Sequence, residues 1–263
     1  MAGRMGEREL TDRVREGVIA ARRDRVLHLE GHVLVEMNGL LLAVTDLADD
    51  ELNVALVARK PDDPLEAIAI AEQWFRWRGR RFAIEVEVGR HPDVDRAVQM
   101  MGLELATERP AMAAFLDRVS APHPPEGVEL LRVRTPEELW EAAIVNVEAF
   151  GMLREVAQRL IVPDVLEGPE TRVYLARLEG EPVACASTHL HERALGVFGV
   201  GTVVKARRRG IGTAITAFAL EDRRDRADLA WLHPTEMGRR MYEAMGFRPV
   251  SRWAVYVRRD PWF

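Results

Sequence analysis

From residue 128 onward the chain alternates between segments with a period of two and segments with a helical period. Val128–Val133 reads as a short strand, and Thr171–Leu178 alternates apolar and polar positions as a strand does. Between them, Thr135-Pro-Glu-Glu has the form of a helix start: a capping hydroxyl, a proline at the first helical position and acids in the first turn. Leu139, Ala142, Ala143 and Val147 continue that helix. Glu179-Gly180-Glu181-Pro182 marks a turn into a second strand, Val183–Leu190. Ala194–Val204 is a third, very apolar strand that carries Gly196, Gly199 and Gly201. A basic loop then leads into an apolar helix from about Thr213 to Leu220. Asp228–Leu232 is a short strand, Met237–Met245 is helical by spacing and stops at Gly246, and Trp253–Arg258 closes as a strand.

The first half repeats part of this order. Val33–Val44 and Leu52–Ala58 read as strands, Leu65–Trp77 as a helix and Phe82–Val88 as a strand. Arg96-Ala-Val-Gln-Met-Met-Gly-Leu103 then stands beside Arg240-Met-Tyr-Glu-Ala-Met-Gly-Phe247, with arginine, methionine and glycine coinciding. A strand precedes and an apolar strand follows each run, which indicates an internal duplication. Ser120–Gly127, with prolines at 122, 124 and 125, lacks three backbone donors and reads as a linker. The expected domains are therefore 1–119 and 128–263, joined by 120–127.

Composition narrows the classes of function. Hydrophobic residues make up 48% of the 263 residues, enough for packed cores rather than disorder. The net charge of -5 makes no general case for nucleic acid or a membrane surface. Its distribution is uneven: residues 1–125 hold 17 basic and 22 acidic side chains, whereas residues 126–263 hold 20 of each. The second half is thus the less repulsive to an anionic ligand. A single cysteine, Cys185, excludes an intrachain disulfide. No apolar run approaches the ~20 residues of a membrane helix, and the first twenty residues lack a signal-peptide core. A cytoplasmic protein without nucleic-acid or membrane partners, either monomer or homodimer, is the expectation.

The chemistry concentrates in Gly199–Thr213. A buried strand ends, a short loop with Lys205, Arg207, Arg208 and Arg209 follows, and a helix begins beyond Gly210 and Gly212. Main-chain N–H groups converging at a helix start, together with the helix dipole and glycines that admit a ligand to the backbone, make a diphosphate cradle. A Walker loop would require a lysine before Thr213, and a dinucleotide loop a glycine where Ile215 stands. Arg207-Arg208-Arg209-Gly210-Ile211-Gly212 instead resembles the Arg/Gln-x-x-Gly-x-Gly signature of the GCN5-related N-acetyltransferase (GNAT) superfamily. The resemblance covers about residues 128–258 and includes the order of the elements.

That resemblance implies an α+β (mixed α/β) fold: two GNAT-like domains, each a mostly antiparallel mixed sheet flanked by helices. It implies acetyl-CoA as co-substrate. Val200, Gly201, Thr202 and Val203 would lie along the pantetheine arm, and the backbone of Arg207, Arg208, Arg209, Gly210, Ile211, Gly212 and Thr213 would bind the pyrophosphate. Val204 stands where the family often has proline. Tyr242-Glu-Ala-Met-Gly-Phe247 matches the family's late helix, so Tyr242 would give the leaving thiolate a proton or a hydrogen bond. Thr235 replaces the family's asparagine seven residues before that tyrosine. No acid lies in Leu195–Val204 to serve as the usual base; His189, His191, Glu192 and Glu148 are candidates, and deprotonation through water is equally open. No metal site is expected, because the His189/His191 pair has no third ligand close by. In the first half, Arg59–Leu65 has no glycine and carries aspartates, and Val98 takes the place of Tyr242. That half is expected to have lost the ligand loop. The implied activity is acetyl transfer to an amine of a small molecule or peptide. The alternative is a non-catalytic acyl-CoA-binding sensor or regulatory module, favoured by the missing strand carboxylate and opposed by the intact tyrosine run.

Overall fold

The structure is a computed structural model that describes residues 6–29, 31–46, 52–120, 123–151 and 163–259. The chain divides into two compact units, Met1–Ala21 with Met112–Val250, and Arg22–Ala111 with Ser251–Phe263. Both are α+β. The units do not follow the expected division at 120–127. The closing strand of each half lies in the sheet of the other half's unit, so sequence halves and compact units differ. Ala121 and Pro122 of the expected linker lie outside the described residues.

In the first unit the sheet is ordered β5-β10-β9-β8-β7-β6, with β5 Glu104–Phe115, β6 Val128–Arg132, β7 Thr171–Leu178, β8 Glu181–His191, β9 Ala194–Thr202 and β10 Leu229–Leu232. Neighbouring strands pair antiparallel, except β9 with β10. Only Met112–Phe115 of β5 pair with β10. Helix α4 (Pro136–Phe150) starts as the sequence predicts. The Thr135 hydroxyl accepts from Glu138 N at 3.2 Å, and the Glu138 carboxylate accepts from Arg134 N at 2.7 Å. Gly151, with φ 66°, ends it in the left-handed conformation. Helices α5 (Ile211–Glu221) and α6 (Arg239–Ala244) follow β9 and β10. Apolar residues of α4, α5, β7 and β8 form one core, and Leu195, Val197, Ala230, Leu232, Tyr242 and Phe247 form another.

The second unit holds β1 (Val33–Met37), β2 (Leu40–Val44), β3 (Val54–Val57), β4 (Ala83–Glu87), β11 (Arg248–Val257) and the start of β5, in the order β1-β2-β3-β4-β11-β5. Val33–Val44 is a hairpin rather than one strand. Asn38 and Gly39, at φ 47° and 79°, form a two-residue turn with both centres left-handed, so Met37 pairs with Leu40. Helices α2 (Pro64–Trp77) and α3 (Pro92–Met100) pack on this sheet, with Ile68, Phe75, Ile84 and Val98 in the core. Glu85 is buried between the Arg22 and Arg109 guanidinium groups, which donate at 2.6 and 2.7 Å.

The matched octapeptides end their helices in the same way. Leu103 N donates to Val98 O at 3.3 Å and Phe247 N to Tyr242 O at 3.0 Å, each spanning a left-handed glycine, Gly102 or Gly246. The shared glycine is therefore a helix-ending requirement met twice.

Helix α1 (Glu7–Leu27) has no counterpart in the sequence reading, because its charged residues mask a thin buried stripe of Val14, Val18 and Ile19. Gly17 sits on that stripe against the buried Trp231 of β10, and a Cβ on it would come within 2.5 Å of the indole nitrogen. Glycine to alanine inside a helix ordinarily stabilises by up to about 1 kcal/mol. Here the new methyl must displace a fully buried ring, at an overpacking cost of about 1–3 kcal/mol. Gly17→Ala is therefore expected to lower the thermal midpoint, and calorimetric melting would check the reversed sign.

Candidate functional site

The site begins where two parallel strands part. β10 pairs with β9 from Leu229↔Ala194 to Trp231↔Gly196, while β9 runs on to Thr202. Beyond Gly196 no strand pairs with the β10 side of β9 among the described residues. On the other side, β9 skips register against β8: Ser187 pairs with Phe198 and Cys185 with Gly201. Two residues of β9, Gly199 and Val200, thus oppose one residue of β8, which is a bulge. Gly199 has φ 56° within it.

After β9 the chain makes a short turn, Val204–Ala206, and reaches α5. Arg208, at φ 62°, and Gly210, at φ 77°, are both left-handed. Alternating left- and right-handed residues turn successive N–H groups towards one concavity. Gly210 is the N-cap of α5 and offers no side-chain acceptor. The N–H groups of Ile211, Gly212 and Thr213 are therefore left at the helix start without a capping partner, next to the positive end of the dipole. Arg208, Arg209 and Lys205 are exposed beside them.

One expectation is corrected here. Arg207 does not face the loop's concavity. Its guanidinium donates to Thr202 O at 3.0 Å and to Ala149 O at 2.8 Å, and its own N–H donates to Val204 O at 3.3 Å. Arg207 ties the end of β9 to the end of α4, and the uncapped donors start after it.

Tyr242 of α6 is 6% exposed and packs edge-on against Phe247. Thr216 Oγ1, on α5, donates to Gly212 O at 2.8 Å. Met241 Sδ, from the residue before Tyr242, lies 3.5 Å from where a Gly212 Cβ would stand. Burial pushes the phenol far above the usual tyrosine range, and the Thr216 hydrogen bond offsets part of that rise. Thr235 spends its hydroxyl locally, accepting from Gly238 N at 3.2 Å in the turn before α6.

The base candidates separate. Glu148 is exposed, while Asn146 and Ala149 of the same helix meet β9. His191 and Glu192 line a cavity of about 480 Å³ with Arg8, Glu9, Asp12 and Arg13, at the β8–β9 turn and thus at the far end of β9 from the loop. His189 is buried and pairs with Gly196, so it stands beside the point where β9 and β10 part. His233 follows β10, with its ring 5.8 Å from that of Trp231. Among the described residues no group of three or more His, Cys, Asp or Glu could hold a metal ion, and no helix is long and apolar enough to cross a membrane. Asn146 and Thr216 were not singled out by the sequence; their only signal is a polar side chain amid a helix's apolar positions.

The first half has the opposite helix start. α2 follows β3 as α5 follows β9, but its N-cap is Asp63, whose carboxylate accepts from Leu65 N at 2.9 Å and Glu66 N at 3.1 Å. Val98, at the Tyr242 position, is a fully buried core residue.

Residues 169–249 match the model of the acetyltransferase (GNAT) domain. Over that stretch the chain is similar to the GNAT acetyltransferase domain. The fold is similar to that of a GCN5-related N-acetyltransferase from Kribbella flavida, at 22% identity and a TM-score of 0.77 over 95% of both chains. It is also similar to a tandem GNAT protein from the clavulanic acid biosynthesis pathway, at 18% identity and TM-score 0.66 over 90% of this chain and 86% of that one. A GCN5-related N-acetyltransferase from Sphaerobacter thermophilus matches at 18% identity and TM-score 0.66, over 91% and 84%. No curated protein matches the sequence.

Because folding raises the Tyr242 pKa, its neutral form contributes stability in full below the ordinary value near 10. That contribution is lost as pH climbs from there towards the folded value. The thermal midpoint of the wild type should therefore fall more steeply above pH ~10 than that of Tyr242→Phe, with the two curves parallel at neutral pH.

Proposed function

We propose that the chain is an N-acetyltransferase that moves an acetyl group from acetyl-CoA to an amine of a small molecule or peptide. The observation that carries this reading is the uncapped start of α5 beyond the part of β9 that outruns β10. The N–H groups of Ile211, Gly212 and Thr213 answer a diphosphate, with Arg208, Arg209 and Lys205 adding exposed positive charge. The main chain of Val200, Gly201, Thr202 and Val203 answers an amide-bearing pantetheine arm that takes the place of the missing strand. Arg207 serves by fixing the loop rather than by touching phosphate.

The reaction needs a neutral amine, a polarised thioester carbonyl and a stabilised leaving thiolate. The amine nitrogen forms a bond to the carbonyl carbon, and the carbon–sulfur bond breaks. The amine proton goes to water or to a neighbouring imidazole, with His189 placed beside the parting of the strands. Tyr242 stays protonated across the physiological range, so it meets the thiolate as a hydrogen-bond donor. An acyl-CoA sensor without turnover would share the loop but would not need that donor.

Two variants test the halves of this reading. Gly210→Asp places a carboxylate at the start of α5 on a left-handed backbone, and it should weaken coenzyme A binding by more than 10-fold in calorimetry while circular dichroism checks that the strained variant still folds. Tyr242→Phe should lower thiol release across an amine panel by about 10²-fold or more with coenzyme A affinity within about twofold of wild type. Wild-type protein that takes up neither coenzyme A nor acetyl-CoA would end the reading. Binding without turnover on any amine would favour the sensor.

A further inference from the structure

The bulge in β9 is held from one side. Asn146 Nδ2, on α4, donates to Gly199 O at 3.4 Å and lies 3.6 Å from Cys185 Sγ. The Cys185 thiol donates to the same Gly199 O at 3.4 Å. One residue earlier, Ser187 Oγ donates to Phe198 O at 3.3 Å. Gly199 is left-handed, and a Cβ on it would come within 3.1 Å of Asn146 Nδ2. The carbonyl of Gly199 in the bulge is therefore held by side chains of β8 and α4, and that of Phe198 just before it by a side chain of β8.

A trans peptide is planar, with its C=O and N–H on opposite sides. There are no cis peptide bonds in the described chain. With Gly199 O turned towards Asn146 and Cys185, the Val200 N–H of the same peptide points the other way. That is the side on which β9 has lost β10, four residues beyond the last pair at Gly196.

We propose that Asn146 and Cys185 are positioning residues: by gripping Gly199 O they aim the Val200 N–H at the carbonyl oxygen of a bound thioester. This rests on the acyl-CoA reading above. As the amine nitrogen bonds to the thioester carbon, the carbonyl electron pair moves onto oxygen, and an N–H already in place stabilises that charge without reorganising. The pair returns as the carbon–sulfur bond breaks. Burial pushes the Cys185 thiol up to about 11, so the S–H donor persists at neutral pH. A glycine at 199 gives the peptide the freedom to turn, which is why it must be gripped.

The test reads the thioester carbonyl directly. Difference infrared spectra of acetyl-CoA labelled with ¹³C at the carbonyl should show its stretch shifted to lower frequency on binding the wild type. Asn146→Leu keeps size and branching and removes the donor. It should lose most of that shift with calorimetric affinity within about threefold of wild type, since the diphosphate contacts are untouched. Cys185→Ala should lose part of the shift and Cys185→Ser, which restores a donor, should recover it. These two variants decide the matter if Asn146→Leu fails to fold. A full shift retained in Asn146→Leu, or in Cys185→Ala if that variant must stand alone, overturns the positioning role and leaves the acyl-CoA reading intact. A wild type that binds but shows no shift overturns it as well. Absence of binding by the wild type removes both.

Discussion

The constraint on which the site depends is the brevity of the pairing between β9 and β10. Three residue pairs are made, and then nine-residue β9 continues without four-residue β10. A strand edge left open in a protein interior is costly, because each unpaired amide loses water without gaining a partner. The structure meets part of this cost with the bulge, which turns two carbonyls towards Ser187, Asn146 and Cys185.

The helix that follows continues the same logic. Helix N–H groups at Ile211–Thr213 cannot be satisfied within α5, and Gly210 supplies no cap. Arg207 ties the end of β9 to the end of α4 by donating to Thr202 O and Ala149 O. The buried Tyr242 phenol stays neutral across the physiological range, because burial holds its pKa well above the ordinary tyrosine value.

Much of this was readable in the sequence because it is local. The cap at Thr135, the glycine stops at Gly102 and Gly246 and the glycine-flanked loop are short-range backbone requirements, and each appears where its residues predict it. The hairpin at Asn38-Gly39 was also local, but a run of apolar residues on both sides hid it within one apparent strand. Features that depend on distant residues were not readable. Helix α1 is justified by Gly17 meeting Trp231, more than two hundred positions later. The exchange of closing strands is a choice among equally apolar edges, to which periodicity is blind. The inward turn of Arg207 likewise depends on Ala149 O, so three consecutive arginines look alike in sequence and differ in the fold. Asn146 shows its role only when α4 is laid against the bulge.

The two halves show how small a change separates a binding helix start from a structural one. α2 and α5 each follow a strand and each begin with donors that the helix cannot satisfy. In α2 the chain supplies its own anion, the Asp63 carboxylate, held by two N–H bonds. In α5 the corresponding place is a left-handed glycine with no side chain, and three exposed cations stand nearby. An internal carboxylate is covalently present at very high effective concentration, so an external phosphate cannot compete with it at the same donors. A cap of this kind typically stabilises a helix by about 1 kcal/mol, which is the stability α5 forgoes by keeping its donors open. The same contrast recurs at the late helix, where Val98 fills a core and Tyr242 presents a hydroxyl. At the helix start the first half is satisfied by its own carboxylate, whereas the second half supplies no side-chain cap.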